Sequence, residues 1–332
     1  MKEKSKAKEN TAFSATLNEY YSDVKAEFQR HLEREISKEP KDIAPLIRKG
    51  VGEGKQLRPI LCRLVSDTLG GDAHSAFECG MALELIHSGT LIHDDWLDGD
   101  TFRREVPALW KELGPRTAVL VADLMVATGS MHGGISMATG NSLARCGRKL
   151  TEGALADFTD KENYSESVYL DRIKRKTGAL YSAAAELGAL VSPRTDLVPQ
   201  MQKFGETVGI MYQITDDYLD LLNSVITKTA IGDLAIGIPT LPITRLNRHP
   251  EYKEAIEIFI RTGNADKIIE KVKIDDAQNI FEELISPWQE MSRKYLEDVP
   301  DSQNKLLLEQ VPISFSNELI ASDKTKFHAD VF

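Results

Sequence analysis

Residues 91–105 read LIHDDWLDGDTFRRE, with Asp94, Asp95, Asp98 and Asp100 inside seven positions and Arg103 and Arg104 just beyond. Like charges this close repel, and aspartate is a poor helix former. Yet MALELIHSGTLI, residues 81–92, is apolar enough for a packed interior. Positions i and i+4 share a helix face, so Asp94 and Asp98 point together. The D-D-x-x-D pattern recurs as Asp216, Asp217 and Asp220 in QITDDYLDLL, where Asp216 and Asp220 share a face and Lys228 follows. Each copy ends an apolar helical run and is followed by cations.

The surrounding chain has helical periodicity almost throughout. Residues 15–36, 75–95, 116–139, 168–192 and 201–222 each carry apolar residues at three- and four-residue spacing. Pro107, Pro115, Pro193 and Pro239 stand between these segments as breakers. Several helices are apolar nearly all round, with small residues on close-packing faces, as helices inside a bundle are. The expected fold is all-α, a large single-domain helical bundle with a central active-site cavity. Residues 1–13 are polar and read as a disordered segment, and 14–332 as one domain, since no Ser/Gly-rich linker divides them. The more charged stretch from about 243 reads as outer helices of the same bundle.

Composition excludes several classes. Hydrophobic residues make up 42% of 332, enough for a large core, and the formal net charge of -10 argues against a nucleic-acid partner. Cys62, Cys79 and Cys146 form no C-x-x-C pair and read as reduced, buried thiols. The N-terminus lacks the apolar run of a secretory signal, and no stretch is long and apolar enough for a transmembrane segment. The expectation is a cytoplasmic protein.

Carboxylates gathered in a bundle need a counter-charge. Mg²⁺ takes oxygen ligands and typically bridges one or two carboxylates to substrate phosphates, so it is the expected cofactor. An EF-hand would place Asp94 first, Asp98 fifth, Gly99 sixth and Glu105 twelfth, but Trp96 occupies the third position, where an oxygen ligand belongs. Further polar groups lie along the chain. GEGKQLRP carries Lys55 and Arg58, His87 lies about two turns before Asp94, and RIKRKTGALY carries Lys176 and Thr177. Taken singly, these are a basic helix start, a core histidine and an amphipathic face. Together they make two sets of cations around a doubly acidic centre, which suits two substrates that each carry a diphosphate.

These residues resemble the trans-isoprenyl diphosphate synthases, the family of farnesyl, geranylgeranyl and longer polyprenyl diphosphate synthases. The likeness covers roughly residues 45–245, with five motifs in family order. GKQLRP is similar to G-G-K-R-x-R-P, and LIHDDWLDGDTFRRE to the first aspartate-rich region. KTGAL is similar to the K-T motif, YQITDDYLDLL to F-Q-x-x-D-D-x-x-D, and GDLAIGIPTLP to D-L-x-x-G-K-x-T-L-P. The resemblance implies a Mg²⁺-dependent prenyltransferase that condenses isopentenyl diphosphate with an allylic diphosphate. It implies metal ligation by Asp94, Asp95, Asp98, Asp157, Asp216, Asp217 and Asp220, and allylic diphosphate binding by Arg103, Lys176 and Lys228. Lys55, Arg58, His87 and Arg104 are implied for isopentenyl diphosphate, with Thr177 and Gln213 orienting groups near the leaving diphosphate. It also implies a homodimer.

The departures are specific. Ile238 stands where the family has the lysine of G-K-x-T-L-P, Gln56 replaces an arginine, and Gly153-Ala154 replaces G-Q. Glu105 replaces the glycine after R-R, and Tyr212 replaces phenylalanine. In the family, bulky residues four and five positions before the first aspartate stop chain growth. Here these are Thr90 and Gly89, so the expected product is geranylgeranyl diphosphate or longer, with Met125 a candidate floor. Two alternatives stand beside this one: a non-catalytic partner subunit of another prenyl synthase, and a related class I terpene cyclase or head-to-head synthase.

Overall fold

The structure, a computed structural model, describes residues 2–103, 106–159 and 165–322. It is all-α apart from one small hairpin. The helices are α1 (Lys2–Ile36), α2 (Ala44–Val51), α3 (Leu57–Thr68) and α4 (Ala73–Asp98). Strands β1 (Phe102–Arg103) and β2 (Val106–Pro107) follow, then α5 (Leu109–Leu113), α6 (Pro115–Gly133), α7 (Met137–Thr159) and α8 (Glu166–Ile173). Next come α9 (Ala179–Leu190), α10 (Val198–Thr227), α11 (Leu241–Leu246), α12 (Pro250–Thr262), α13 (Asp266–Lys271), α14 (Ile274–Lys294) and α15 (Gln303–Ser322).

Local chemistry sets the ends that matter. Asp72 caps α4 by accepting a hydrogen bond from the Ser75 N–H at 2.8 Å, and Gly99, at φ 75°, stops the helix one residue after Asp98. Pro115 opens α6 in its first turn, where its missing N–H costs nothing. The segment 116–139, read as one helix, is broken at Gly134 into α6 and α7. Helix α1 runs from Lys2 to Ile36, and its opening turns are rich in lysine, glutamate and alanine, which are strong helix formers.

The chain divides into two compact units, each drawn from three stretches. The first is Met1–Arg148, Leu180–Gly205 and Asp298–Leu308; the second is Lys149–Ala179, Glu206–Glu297 and Glu309–Phe332. Four of the five boundaries fall inside helices, in α7, α9, α10 and α15, and the fifth, 297/298, lies in the short connection between α14 and α15.

In the first unit α4 lies along α6 at close range. A Cβ on Gly89 would stand 2.9 Å from the Ala122 carbonyl, and one on Gly129 2.9 Å from the Ala82 carbonyl. Phe28, Leu32, Met81, Leu85, Ile92, Val121 and Met125 fill the core around this contact. Each such side chain adds roughly 1.5–3 kcal/mol when fully buried. The second unit is built on α10. Tyr218, Leu221 and Leu222 pack against Ile243, Phe259, Ile280 and Leu284, and the Tyr218 ring stacks on Phe281 at 4.3 Å. The outer helices expected after residue 243 therefore supply much of this unit's core. Cys62, Cys79 and Cys146 are buried and not in disulfides. Among the described residues no helix is long and apolar enough to cross a membrane.

Candidate active site

The first aspartate cluster forms the last turn of α4. Asp95 is 3% exposed, Asp94 half-buried and Asp98 exposed. The chain turns at Gly99 into the β1–β2 hairpin, whose register pairs Phe102 with Pro107 and Arg103 with Val106. That turn carries Arg103 back over the helix end. Its Nη2 and Nε stand 2.5 and 2.6 Å from Asp95 Oδ1, so the buried carboxylate is neutralised by a guanidinium. Arg104 and Glu105 lie outside the described residues.

A cavity of about 590 Å³ opens beside this pair, walled by Glu84, His87, Ser88, Leu91, Asp95 and Arg103 among others. It brings together His87, Asp95 and Arg103 of the expected set. Glu84 escaped the sequence reading; it is a buried acid eleven residues, or three turns, before Asp95, and that spacing places both on one face of α4. Lys55 and Arg58 are not part of the wall. Lys55 is half-buried with its carbonyl accepting from the Tyr21 hydroxyl at 2.6 Å, and the Arg58 guanidinium lies 4.8 Å over the Tyr181 ring. Between them buried Gln56 holds φ 56°, a left-handed conformation costly for a side chain. Lys228 is the other such residue among those described.

Gly89 faces α6 rather than open space, so its small size serves helix packing. Thr90 is half-buried with its hydroxyl on the His87 carbonyl at 2.8 Å. Met125 is buried against Gly50 and Ile92, both of which line the cavity.

In the second unit Asp216 is exposed, Asp220 half-buried and Asp217 only 2% exposed. Gln213 binds the pair through Nε2, 3.0 Å from Asp217 Oδ1 and 3.4 Å from Asp216 Oδ2. The Thr177 hydroxyl donates to Gln213 Oε1 at 2.7 Å and fixes the amide's orientation. Thr177 and Lys176 sit on a single π-helical turn, Lys174–Gly178, a distortion that often marks functional sites. Gly153 packs directly on that turn, where a Cβ would stand 2.8 Å from Lys176 Cγ. Asp157 lies on α7, and its side chain is outside the described residues.

Asp217 Oδ2 is buried and has no hydrogen-bond partner. Burial pushes its carboxyl well above the ordinary range; the charges of Asp233 and Asp220 push the same way, and the nearby Leu241 backbone offsets them in part. Asp233 was missed by the sequence reading, although it lies in the quoted GDLAIGIPTLP segment. Its N–H reaches Asp220 Oδ2 at 3.4 Å, and the adjacent Gly232, at φ 54°, abuts that carboxylate so closely that no Cβ fits. Ile238, on the same loop, donates its N–H to the Asp233 carbonyl at 2.9 Å and brings no charge. Lys228 reaches the Ile269 carbonyl at 3.2 Å. A buried acceptor with no partner, set among carboxylate oxygens, fits a hard divalent cation.

Known proteins match this arrangement. Residues 41–274 match the model of the polyprenyl synthetase family. The geranylgeranyl diphosphate synthase of Sulfolobus acidocaldarius is 32% identical over 277 residues, 76% of this chain and 81% of its own length. Heptaprenyl diphosphate synthase component 2 of Bacillus subtilis is 30% identical over 267 residues, 74% of this chain and 75% of its own. A solved geranylgeranyl pyrophosphate synthetase from the archaeon Geoglobus acetivorans shares the fold with a TM-score of 0.75 at 24% identity, covering 91% of this chain and 99% of that one. An all-α prenyltransferase fold bearing two aspartate-rich helical segments is thus the class, and the chain belongs to the polyprenyl synthetase family.

Proposed function

We propose that this chain joins isopentenyl diphosphate to an allylic diphosphate, head to tail and trans, to make geranylgeranyl diphosphate or a longer polyprenyl diphosphate. The observation that carries this is the second aspartate cluster, inside α10, where a buried oxygen of Asp217 without a hydrogen bond lies near Asp220 and Asp233. Asp94, Asp95, Asp98, Asp216, Asp217 and Asp220, with Asp157, are the residues that would hold Mg²⁺. Bound there, Mg²⁺ would neutralise charge growing on the departing diphosphate.

The chain's own groups do the rest. Arg103, which pairs with Asp95, would bind the allylic diphosphate. Lys176, on the π-helical turn, and Lys228 would also bind allylic diphosphate. Thr177, through Gln213, keeps the Asp216–Asp217 pair oriented. Lys55, Arg58, His87 and Arg104 grip isopentenyl diphosphate. The allylic C–O bond ionises, the isopentenyl double bond attacks the cation, and a proton leaves. Fixed charges in a site shielded from water are worth more than the same charges in solution.

Relatives of near-equal identity bear geranylgeranyl and heptaprenyl names, so identity does not set product length. Gly89 is accounted for by packing on α6, which shifts the length-setting role toward Thr90 and toward Met125 behind Gly50 and Ile92. Residues 14–332 would act as one folding domain, since its two units interleave. Exposed Leu120, Met131 and Met137 on α6 and α7 support a homodimer, and the absence of an apolar spanning helix among the described residues agrees with action in the cytoplasm.

The test is product length. Purified protein is given Mg²⁺, isopentenyl diphosphate and, separately, dimethylallyl, geranyl or farnesyl diphosphate, and the dephosphorylated products are sized by chromatography. A ladder ending at geranylgeranyl or beyond is expected. A farnesyl-only product would refute the length, and no product from any primer would refute the activity and favour a partner subunit disabled at Ile238 and Ala154.

A further inference from the structure

Three of the seven histidines meet in the first unit, away from the aspartates. His31 comes from α1, His74 from α4 and His132 from α6, and all gather around Glu78 of α4. His31 and Glu35 are four apart on α1, and His74 and Glu78 are four apart on α4. Each helix therefore presents a histidine–glutamate pair on one face.

Donor atoms of His31, His74 and Glu78 all lie within 4.8 Å of one another. His31 is 6% exposed, and its Nε2 stands 3.0 Å from Glu78 Oε1 without forming a hydrogen bond. A buried ring nitrogen left this way is an unmet cost that a ligand would remove. The other Glu78 oxygen is already fixed, since His132 Nδ1 lies 2.7 Å from Oε2.

We propose that His31, His74 and Glu78 form a site for a zinc-type divalent transition ion, with water as the fourth ligand. Two imidazoles and one carboxylate are a donor set that suits zinc, whereas magnesium takes oxygen alone. His132 positions the carboxylate, as hydrogen-bonded partners of metal ligands do. Coordination at Nε2 leaves the ring proton on Nδ1, so Arg34 Nη2, now 2.9 Å from Nδ1, turns away; the exposed Arg34 keeps Glu35 at 3.0 Å. Glu35 is also held by Lys38 at 2.5 Å, which leaves it a partner of cationic side chains and not a ligand. Glu78 and Asp94 are sixteen residues apart, about 24 Å along α4, so the ion would tie α1 to α4 without touching the aspartates.

The full-length protein, stripped with a chelator, is dialysed against limiting Zn²⁺ with Mg²⁺ in large excess, and bound zinc is counted by mass spectrometry. One zinc per chain is expected. His74→Ala, at an exposed position that leaves folding safe, weakens zinc binding at least about tenfold. Glu78→Gln does the same, while the double variant Asp95→Asn/Asp217→Asn still holds one zinc per chain. No zinc held by the parent protein would overturn the site, and so would equal zinc in His74→Ala and Glu78→Gln; either result would leave a metal-free histidine–glutamate network.

Discussion

The two aspartate-rich segments, one closing α4 and one inside α10, are spelled alike and bury the same middle residue, Asp95 at 3% exposure and Asp217 at 2%. Their fields differ. Asp95 has a guanidinium at 2.5 Å, brought by a hairpin that folds back on its own helix. Asp217 has a neutral amide at 3.0 Å, an oxygen with no partner, and the charges of Asp220 and Asp233. The loop that ends in Ile238 adds no cation. One motif thus gives one buried carboxylate paired with a guanidinium and another with a buried oxygen left without a hydrogen bond. The second end is where a bound cation relieves the larger cost.

The largest effect expected is on catalysis, and it should not separate the ends. Asp95→Asn and Asp217→Asn should each lower kcat/KM by about 10³-fold, because under the proposed function each carboxylate would hold Mg²⁺ for the reaction. A loss below tenfold in either variant, in steady-state assays with saturating Mg²⁺, would break the symmetry of roles.

Glycines sharpen the comparison next. Gly232→Ala forces a side chain at φ 54° into the Asp220 carboxylate, whereas Gly99→Ala, at φ 75°, meets nothing within 4 Å. Gly232→Ala should cost about 3 kcal/mol in urea unfolding and Gly99→Ala about 1 kcal/mol. Equal costs would mean that the Gly232 contact is not tight. A smaller change is expected from Ile238→Lys, which supplies the missing charge. It should lower KM for the allylic diphosphate by up to about fivefold, near the ~1 kcal/mol of one solvent-screened charged hydrogen bond, with kcat nearly unchanged.

Much of this was legible in the sequence. Apolar periodicity gave the helices, and two D-D-x-x-D repeats with their downstream cations gave both acidic ends. What stayed hidden depends on tertiary placement. Spacing shows that Arg103 follows Asp95 by eight residues, but only the hairpin makes them a pair. Lys228 sits where expected in sequence, while its ammonium rests on a carbonyl forty-one residues away. Asp233 was quoted within its segment, but its charge on Asp217 depends on the glycine turn at 232 that brings the loop against Asp220. Gly89 looked like an opening for product, and the neighbouring helix shows it to be a packing contact. The two units interleave through helix interiors, which leave no mark of composition.

The most direct test of the charge difference is the thermal stability of the metal-free protein at neutral pH, as parent, Asp95→Asn and Asp217→Asn. A carboxyl whose folded pKa is raised withdraws stability as pH climbs above its ordinary value, so its removal relieves the folded chain. Removing Asp95 strands Arg103 beside a neutral amide, at a cost of about 1–3 kcal/mol. Asp95→Asn should therefore melt below the parent, and Asp217→Asn at or above it. A melting point for Asp217→Asn as low as that of Asp95→Asn would contradict the account, because the second helix end would then hold its charge as comfortably as the first.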